Sequence, residues 1–285
     1  MSDQILASER QPSRSQSFHR LHRPGEPFLL PCAWDVASAR LFAEAGHPVV
    51  GTTSLGVAAG IGAADEDRET LTAMPDLIGN ISRALPEALL TCDFEDGYSD
   101  DLAAVVDILR DAFSVRDAVS SRGDAGLAVD GINIEDSVRG QMVAPDTLVA
   151  KVRAIRDAVP DLFVNARIDT FWIGQDNLGE VLERIRTYAD AGAHGIFVPG
   201  NLDLDVIETI AAASPLPLNV LASPRFSRTQ LAEAGVARIS TGSLLYRTAV
   251  SAALAALDGL NRDLPADAEN VLSYQDIAGL DSQLP

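Results

Sequence analysis

Positive charge is scarce in this 285-residue chain. Twenty-two Lys and Arg stand against 41 Asp and Glu, a formal net charge of −19. Such a field repels nucleic acid and anionic lipid, so neither is an expected partner. It also repels anionic small molecules at long range. An anion site therefore needs a local Arg, a metal ion or oriented backbone N–H groups. Cysteine is nearly absent too. Cys32 and Cys92 both fall in apolar, strand-like stretches and read as a buried, reduced pair, and no zinc-ligand spacing exists. No apolar run approaches the roughly 18 residues of a membrane span, and the N-terminus lacks an apolar signal core. Residues 8–23, rich in Arg and Ser, read as a flexible arm (1–17) leading into a short helix. The expected location is cytoplasmic.

What the chain does have is alternation. Short β-branched, apolar runs at 28–33, 48–53, 88–94, 130–135, 162–168, 195–199, 216–222 and 237–241 predict eight strands. Helical patterns lie between them, among them 101–118, 146–158, 177–191 and 243–258. In the third of these Leu178, Val181, Leu182, Ile185 and Tyr188 form one apolar face. Gly follows an Ala-rich last turn at "AEAGHP", "ADAGAHG" and "AEAGVA", a helix-stop signal. Eight strand–helix units in about 250 residues predict a (β/α)8 barrel of TIM type, with a doubly wound open sheet as the rival. No linker splits the chain, so one catalytic domain is expected over 18–260. The 116–126 stretch reads as a polar loop, and 261–285 as an irregular, acidic extension.

In such a barrel chemistry sits at the C-terminal ends of the strands. Trp34, Ser54, Asp93, Glu95, Glu135, Arg167 and Asn219 fall there. The segment "TCDFEDGYSD" (91–100) crowds Asp93, Glu95, Asp96 and Asp100 together, which costs stability unless something positive is near. Asp93, Glu95 and Glu135 are hard oxygen donors suited to Mg²⁺. An acidic turn with helix caps is the alternative, and it suits Asp96 and Asp100. Arg167 is either a structural ion pair to Asp93 or Glu135, or a fork for a substrate carboxylate. The turn "TTSLGVAAG" (52–60) offers Ser54 and Gly56, where backbone N–H groups could cradle an anion.

Taken together, "LPCAWDVASARLFAEAG", "TTSLGVAAGIGAAD", "CDFEDGYSD", "GINIEDS", "VNARID", "GAHGIFVPG" and "ARISTGSLLYRTA" resemble the isocitrate lyase/phosphoenolpyruvate mutase superfamily, from about residue 18 to 260. The resemblance implies an α/β barrel, Mg²⁺ (with Mn²⁺ as a substitute) and a bound 2-oxo acid such as oxaloacetate, pyruvate or 2-oxoglutarate. It assigns Trp34, Ser54, Leu55, Gly56, Asp93, Arg167 and Asn219 to substrate binding. Asp93, Glu95 and Glu135 fall to the metal, and Arg167, Asp65 and Glu135 to catalysis. It also implies a homodimer or homotetramer that exchanges the last barrel helix. The run 241–260 is more apolar all round than a solvent-facing helix should be.

The departures narrow the reaction. Lyases of the superfamily carry a Lys-x-Cys-Gly-His type loop after the fourth strand, and phosphonopyruvate enzymes a Pro-Lys-x-Asn loop. Here that region reads "SVRGQMVAP" (137–145). The lyases' loop Tyr corresponds to Thr52, and the His or Glu after strand six to Pro199 or Gly200. Tyr98, Asp65 and His47 are the candidate substitutes for the missing acid and base. Decarboxylation of an oxaloacetate-type acid through an enolate asks least of such a site. The alternatives are a weak isocitrate or methylisocitrate lyase, phosphonate P–C chemistry, or an oxo-acid binding protein without catalysis.

Overall fold

The computed structural model describes residues 12–65, 67–113, 127–265 and 271–280. Its sheet is built from β1 (Phe28–Leu30), β2 (Cys32–Ala33), β3 (Val49–Thr52), β4 (Leu89–Asp93), β5 (Gly131–Glu135), β8 (Phe163–Arg167), β9 (Gly195–Phe197), β10 (Leu218–Leu221) and β11 (Arg238–Ser240). The small pair β6 (Ser137–Val138) and β7 (Gln141–Met142) forms a separate hairpin. Every pairing in the large sheet is parallel. β1 pairs with β11 while β2 pairs with β3, and only Pro31 separates them. Pro31 has no N–H to donate, so it interrupts one stave without opening it. The nine segments are therefore the eight staves of a closed (β/α)8 barrel. The strands read from the sequence are all present; the first fills 28–33 apart from Pro31, and the others are one or two residues shorter at one or both ends.

The outer layer is α2 (Val36–Glu44), α3 (Ser54–Ile61), α4 (Met74–Ala84), α5 (Leu102–Asp107), α6 (Pro145–Ala158), α7 (Leu178–Asp190), α8 (Leu204–Ala213) and α9 (Arg228–Glu233). Their apolar faces and the outer faces of the strands make the main core, from Val50 and Leu90 round to Ile239. The next helix, α10 (Leu244–Asn261), behaves differently: none of its residues is buried. Leu254 is 62 % exposed and Leu257 55 %.

The N-terminal end of the barrel is sealed by α1 (Arg14–Leu21). Its Phe18 is fully buried among Leu30, Val49 and Phe163, with the Phe163 ring centroid 5.3 Å away. Gly131 is what admits it, because a Cβ there would lie 2.6 Å from Phe18 Cε1. Arg14 fixes the helix by pairing with Asp130 at 2.9 Å. With that end closed, the barrel interior opens at the opposite mouth.

Four expectations need correction. α1 starts at Arg14, inside the segment read as a flexible arm. The helix expected over 101–118 begins at Leu102 and stays α-helical only to Asp107, followed by a wider turn, Ile108–Ala112. Its later residues, like the 116–126 loop, lie outside the described residues. Its cap is Asp101, which accepts from the Ala103 and Ala104 N–H groups, rather than Asp100. The extension after 260 is not wholly irregular, since α11 spans Tyr274–Ala278.

Candidate active site

The crowd of acids after β4 separates into distinct jobs. Asp96 accepts from Arg68 and lies 3.1 Å from Lys151 Nζ, and Asp100 pairs with Arg68 as well. Asp101 caps α5. Glu95 turns away, accepting from the Arg68 N–H and the Thr70 hydroxyl. Its φ of 45° is a left-handed conformation that few non-glycine residues adopt. Burial pushes its carboxyl up to about 7, against the opposing pull of Thr70. Only Asp93 faces the open mouth.

That mouth holds a pocket of about 120 Å³. Ser54, Leu55, Asp65, Asp93 and Arg167 line it. Trp34, Gly56, Glu95, Glu135 and Asn219 are not on its surface; they stand behind it. Trp34 packs between Phe42 and Tyr246. Gly56 is needed for close approach, since a Cβ would sit 2.8 Å from Trp34 Cβ. Asn219 accepts from Ser240 Oγ at 3.1 Å within the barrel.

Arg167 is both an ion-pair partner and a pocket wall. Its Nη1 lies 2.7 Å from Glu135 Oε2 and 4.0 Å from Asp93 Oδ2, and its Nε donates to Asp169 Oδ1 at 2.6 Å. Strand register puts Glu135 directly beside Arg167. The rings of Trp172 and Phe197 lie 5.6 and 5.9 Å from the guanidinium. Burial opposes the charge on Arg167, but Asp169, Glu135 and Asp93 outweigh it and hold the group well above its ordinary value. Three carboxylates thus gather around one cation. Burial also raises Asp93, while Arg167 and the Ser54 hydroxyl and N–H at the start of α3 favour its ionised form.

The metal assignment can be tested on this geometry. Among the described residues no three His, Cys, Asp or Glu side chains gather into a ligand cluster. Glu95 and Glu135 are occupied by Thr70, Arg68 and Arg167. Asp93 Oδ1, however, is buried without a hydrogen-bond partner. Mg²⁺ keeps several waters and needs only one or two carboxylates. The donor set thus fits a largely hydrated divalent cation that Asp93 would hold, with Glu95 and Glu135 engaged elsewhere.

Thr241, at the end of the last strand, lines the pocket as its position leads one to expect, but Asn133, Trp172, Gly242–Leu244 and Arg247 on the same surface were not anticipated. Arg247 belongs to the first turn of α10 and donates to Ser243 Oγ at 3.2 Å. A survey of strand ends alone overlooks it, although an Arg one turn into the helix after the last strand is a readable signal. Of the candidate acids and bases, His47 precedes β3 and so lies at the sealed end of the barrel. Tyr98 is buried against Phe94, its hydroxyl 3.0 Å from Thr70 Oγ1. Among the described residues no His, Lys or Tyr lines the pocket. The 137–145 segment folds as the β6–β7 hairpin with Arg139 and Gly140 at positive φ, a two-residue turn. Arg139 ties it to Asp67 at 2.9 Å.

Both cysteines are free and buried, as expected. No helix among the described residues is long and apolar enough to cross a membrane.

Comparison with known proteins agrees with this architecture. The chain is 40 % identical over 260 residues to an uncharacterized protein of Mycobacterium tuberculosis, covering 87 % of this chain and 93 % of that one. It is 27 % identical to an oxaloacetate decarboxylase of Bradyrhizobium sp. over 67 % of this chain and 65 % of that one. It is 28 % identical to a 2-methylisocitrate lyase of Salmonella typhimurium, over 76 % and 78 % respectively. Among solved structures, a Burkholderia cenocepacia protein with a provisional lyase/mutase description superposes with a TM-score of 0.81 at 30 % identity, over 94 % of this chain and 96 % of that one. The family model for phosphoenolpyruvate phosphomutase matches residues 18–260, and the chain belongs to that family, within the PEP mutase/isocitrate lyase superfamily.

Proposed function

We propose that the protein is a Mg²⁺-dependent carbon–carbon lyase acting on a small 2-oxo dicarboxylate, with oxaloacetate-type decarboxylation as its reaction. One observation carries this reading: the pocket joins a buried, unpartnered carboxylate oxygen on Asp93 to the Arg167 cation, yet among the described residues no His, Lys or Tyr lines it. A site with charge stabilisation but few proton-transfer groups suits a reaction that asks mainly for an electron sink. When bound, the divalent cation would polarise the oxo and carboxylate oxygens of the substrate. Arg167 binds a substrate carboxylate from one wall, and Arg247 supplies a second cation from the other. Trp172 excludes water from the face of Arg167. Among the described residues Asp65 is the one acid besides Asp93 on the pocket surface, and it would handle the proton that must reach the product. The named oxaloacetate decarboxylase relative supports the substrate class. The hairpin at 137–145 weighs against isocitrate-type cleavage and P–C chemistry, since it brings no Cys, Lys or His to the mouth.

The exposed apolar face of α10 supports a homodimer or homotetramer in which that helix is covered by a second copy. The experiment that tests the activity is pyruvate release from oxaloacetate, with Mg²⁺ and with chelator, across a panel of 2-oxo and 2-hydroxy acids. Metal-dependent turnover of oxaloacetate, lost in Asp93→Ala, is expected. Binding without turnover of any acid would identify a silent oxo-acid binding protein instead.

A further inference from the structure

Beneath the pocket the barrel interior carries a cation that the proposed reaction does not use. Arg238 opens β11 and is the largest fully buried side chain of the protein, 1 % exposed. Among the described residues it forms no ion pair with a carboxylate. Its Nε donates to Ser240 Oγ at 3.0 Å and its Nη2 to Asn133 Oδ1 at 3.2 Å, while Nη1 is buried without a partner. Burying an unpaired charge is costly, and apolar replacements of buried charges are often neutral or stabilising. Core stability therefore does not account for Arg238.

Its contact with Asn133 offers another reason. Asn133 sits on β5, in register with Asp93 on β4 and Asn165 on β8, and it lines the pocket. A guanidinium has donors only, so the atom of the Asn133 amide that faces it must be the oxygen. Asn165 Nδ2 donates to that same oxygen at 2.9 Å. Two donors saturate Oδ1 and fix the orientation of the amide. Its Nδ2 has no hydrogen-bond partner among the described residues, and it is left to the pocket floor.

We infer that Asn133 is a ligand-binding donor whose orientation is set by Arg238. It would give an N–H to an oxygen of the bound acid, next to the carboxylate of Asp93. Arg238 is a positioning residue that acts through Asn133 and never meets the ligand. The assignment rests on the 2-oxo acid reading of the pocket and adds a specificity determinant to it. A ligand group that accepts hydrogen bonds is taken at the floor, and one that only donates is refused.

Calorimetric titration of oxalate in the presence of Mg²⁺, with thermal melts of each protein, tests this. Asn133→Asp is nearly isosteric and pairs with Arg238, but turns an acceptor to the floor. It should weaken oxalate by at least about tenfold, roughly 1.4 kcal/mol, without lowering the melting temperature. Arg238→Lys keeps a donor-only group and should retain most of the affinity. Arg238→Gln can accept as well as donate, lets the amide turn over, and should lose affinity several-fold at a similar melting temperature. Wild-type affinity in Asn133→Asp, or equal affinities in the Lys and Gln variants of Arg238, would overturn the inference while leaving the 2-oxo acid reading intact. A wild-type protein that ignores oxalate would overturn both.

Discussion

Replacing Arg167 by Lys separates the two roles that the site gives this residue. The guanidinium reaches Glu135 through Nη1 and Asp169 through Nε, on different edges of the fork. A Lys ammonium keeps the charge but cannot occupy both positions. One of two carboxylates, 4 % and 0 % exposed, then loses its partner. A hydrogen bond to a charged group contributes about 1.5–3 kcal/mol, and the stranded carboxylate adds its desolvation cost. A domain of this size loses roughly 2–4 °C per kcal/mol, so a fall of about 4–10 °C is expected. A purely structural Arg167 would show that fall and nothing more. If it also holds a substrate carboxylate, oxalate affinity measured below the transition, on fully folded protein, should drop as well. Thermal melts and calorimetry on one sample give both numbers. An unchanged melting temperature would refute the ion-pair arithmetic. A lowered one with unchanged affinity would remove Arg167 from the ligand site.

Gly131→Ala should destabilise the protein by about 1–3 kcal/mol, because its Cβ overlaps Phe18; urea midpoints should show the loss, and Phe18→Leu should restore part of it. Glu95 has an ordinary value of 4.5 and a folded value of about 7. Between these the native state binds more protons than the unfolded chain, so its contribution is present below about 4.5 and lost as pH rises through 7. In metal-free buffer Glu95→Gln should therefore gain on the wild type in urea midpoint from pH 5 to pH 8, and parallel profiles would sink the assignment. Leu254→Asp with Leu257→Asp should shift the light-scattering mass to that of a monomer; a wild type already monomeric at micromolar concentration would rule out the proposed assembly.

The barrel was legible because it is written in periodicity. Eight β-branched runs alternate with amphipathic helices, and a parallel sheet buried on both faces leaves just that trace. The site was legible in part. Asp93, Arg167 and Ser54 stand where strands end, so counting along the strands finds them. Trp172 reaches the pocket by way of a turn, whose course has no periodic signature, and Arg247 from the helix after the last strand, which a survey of strand ends passes over. Asp93, Glu95 and Glu135 look equivalent in sequence, as three acids on neighbouring strand ends. Folding distinguishes them, because Thr70 and Arg68 draw Glu95 aside and Arg167 takes Glu135. The capping of α5 by Asp101 instead of Asp100 turned on a single residue. Arg68, 32 positions from Asp100 along the chain, had already engaged that carboxylate.

The plug at the closed end of the barrel bears on how the chain reaches its native state. α1 is the first described helix to be synthesised, yet its anchors come late. Arg14 waits for Asp130, 116 residues on, and Ser15 for the Asp161 carbonyl, 146 residues on. Phe18 has no seat until the strands bearing Gly131 and Phe163 lie side by side. Contacts so distant in sequence carry a heavy loop-closure cost and tend to form after the transition state. Phe18→Ala should therefore speed unfolding much more than it slows refolding in stopped-flow experiments. During synthesis the same helix would spend most of elongation unsatisfied, with an apolar ring open to any chaperone that holds nascent chains.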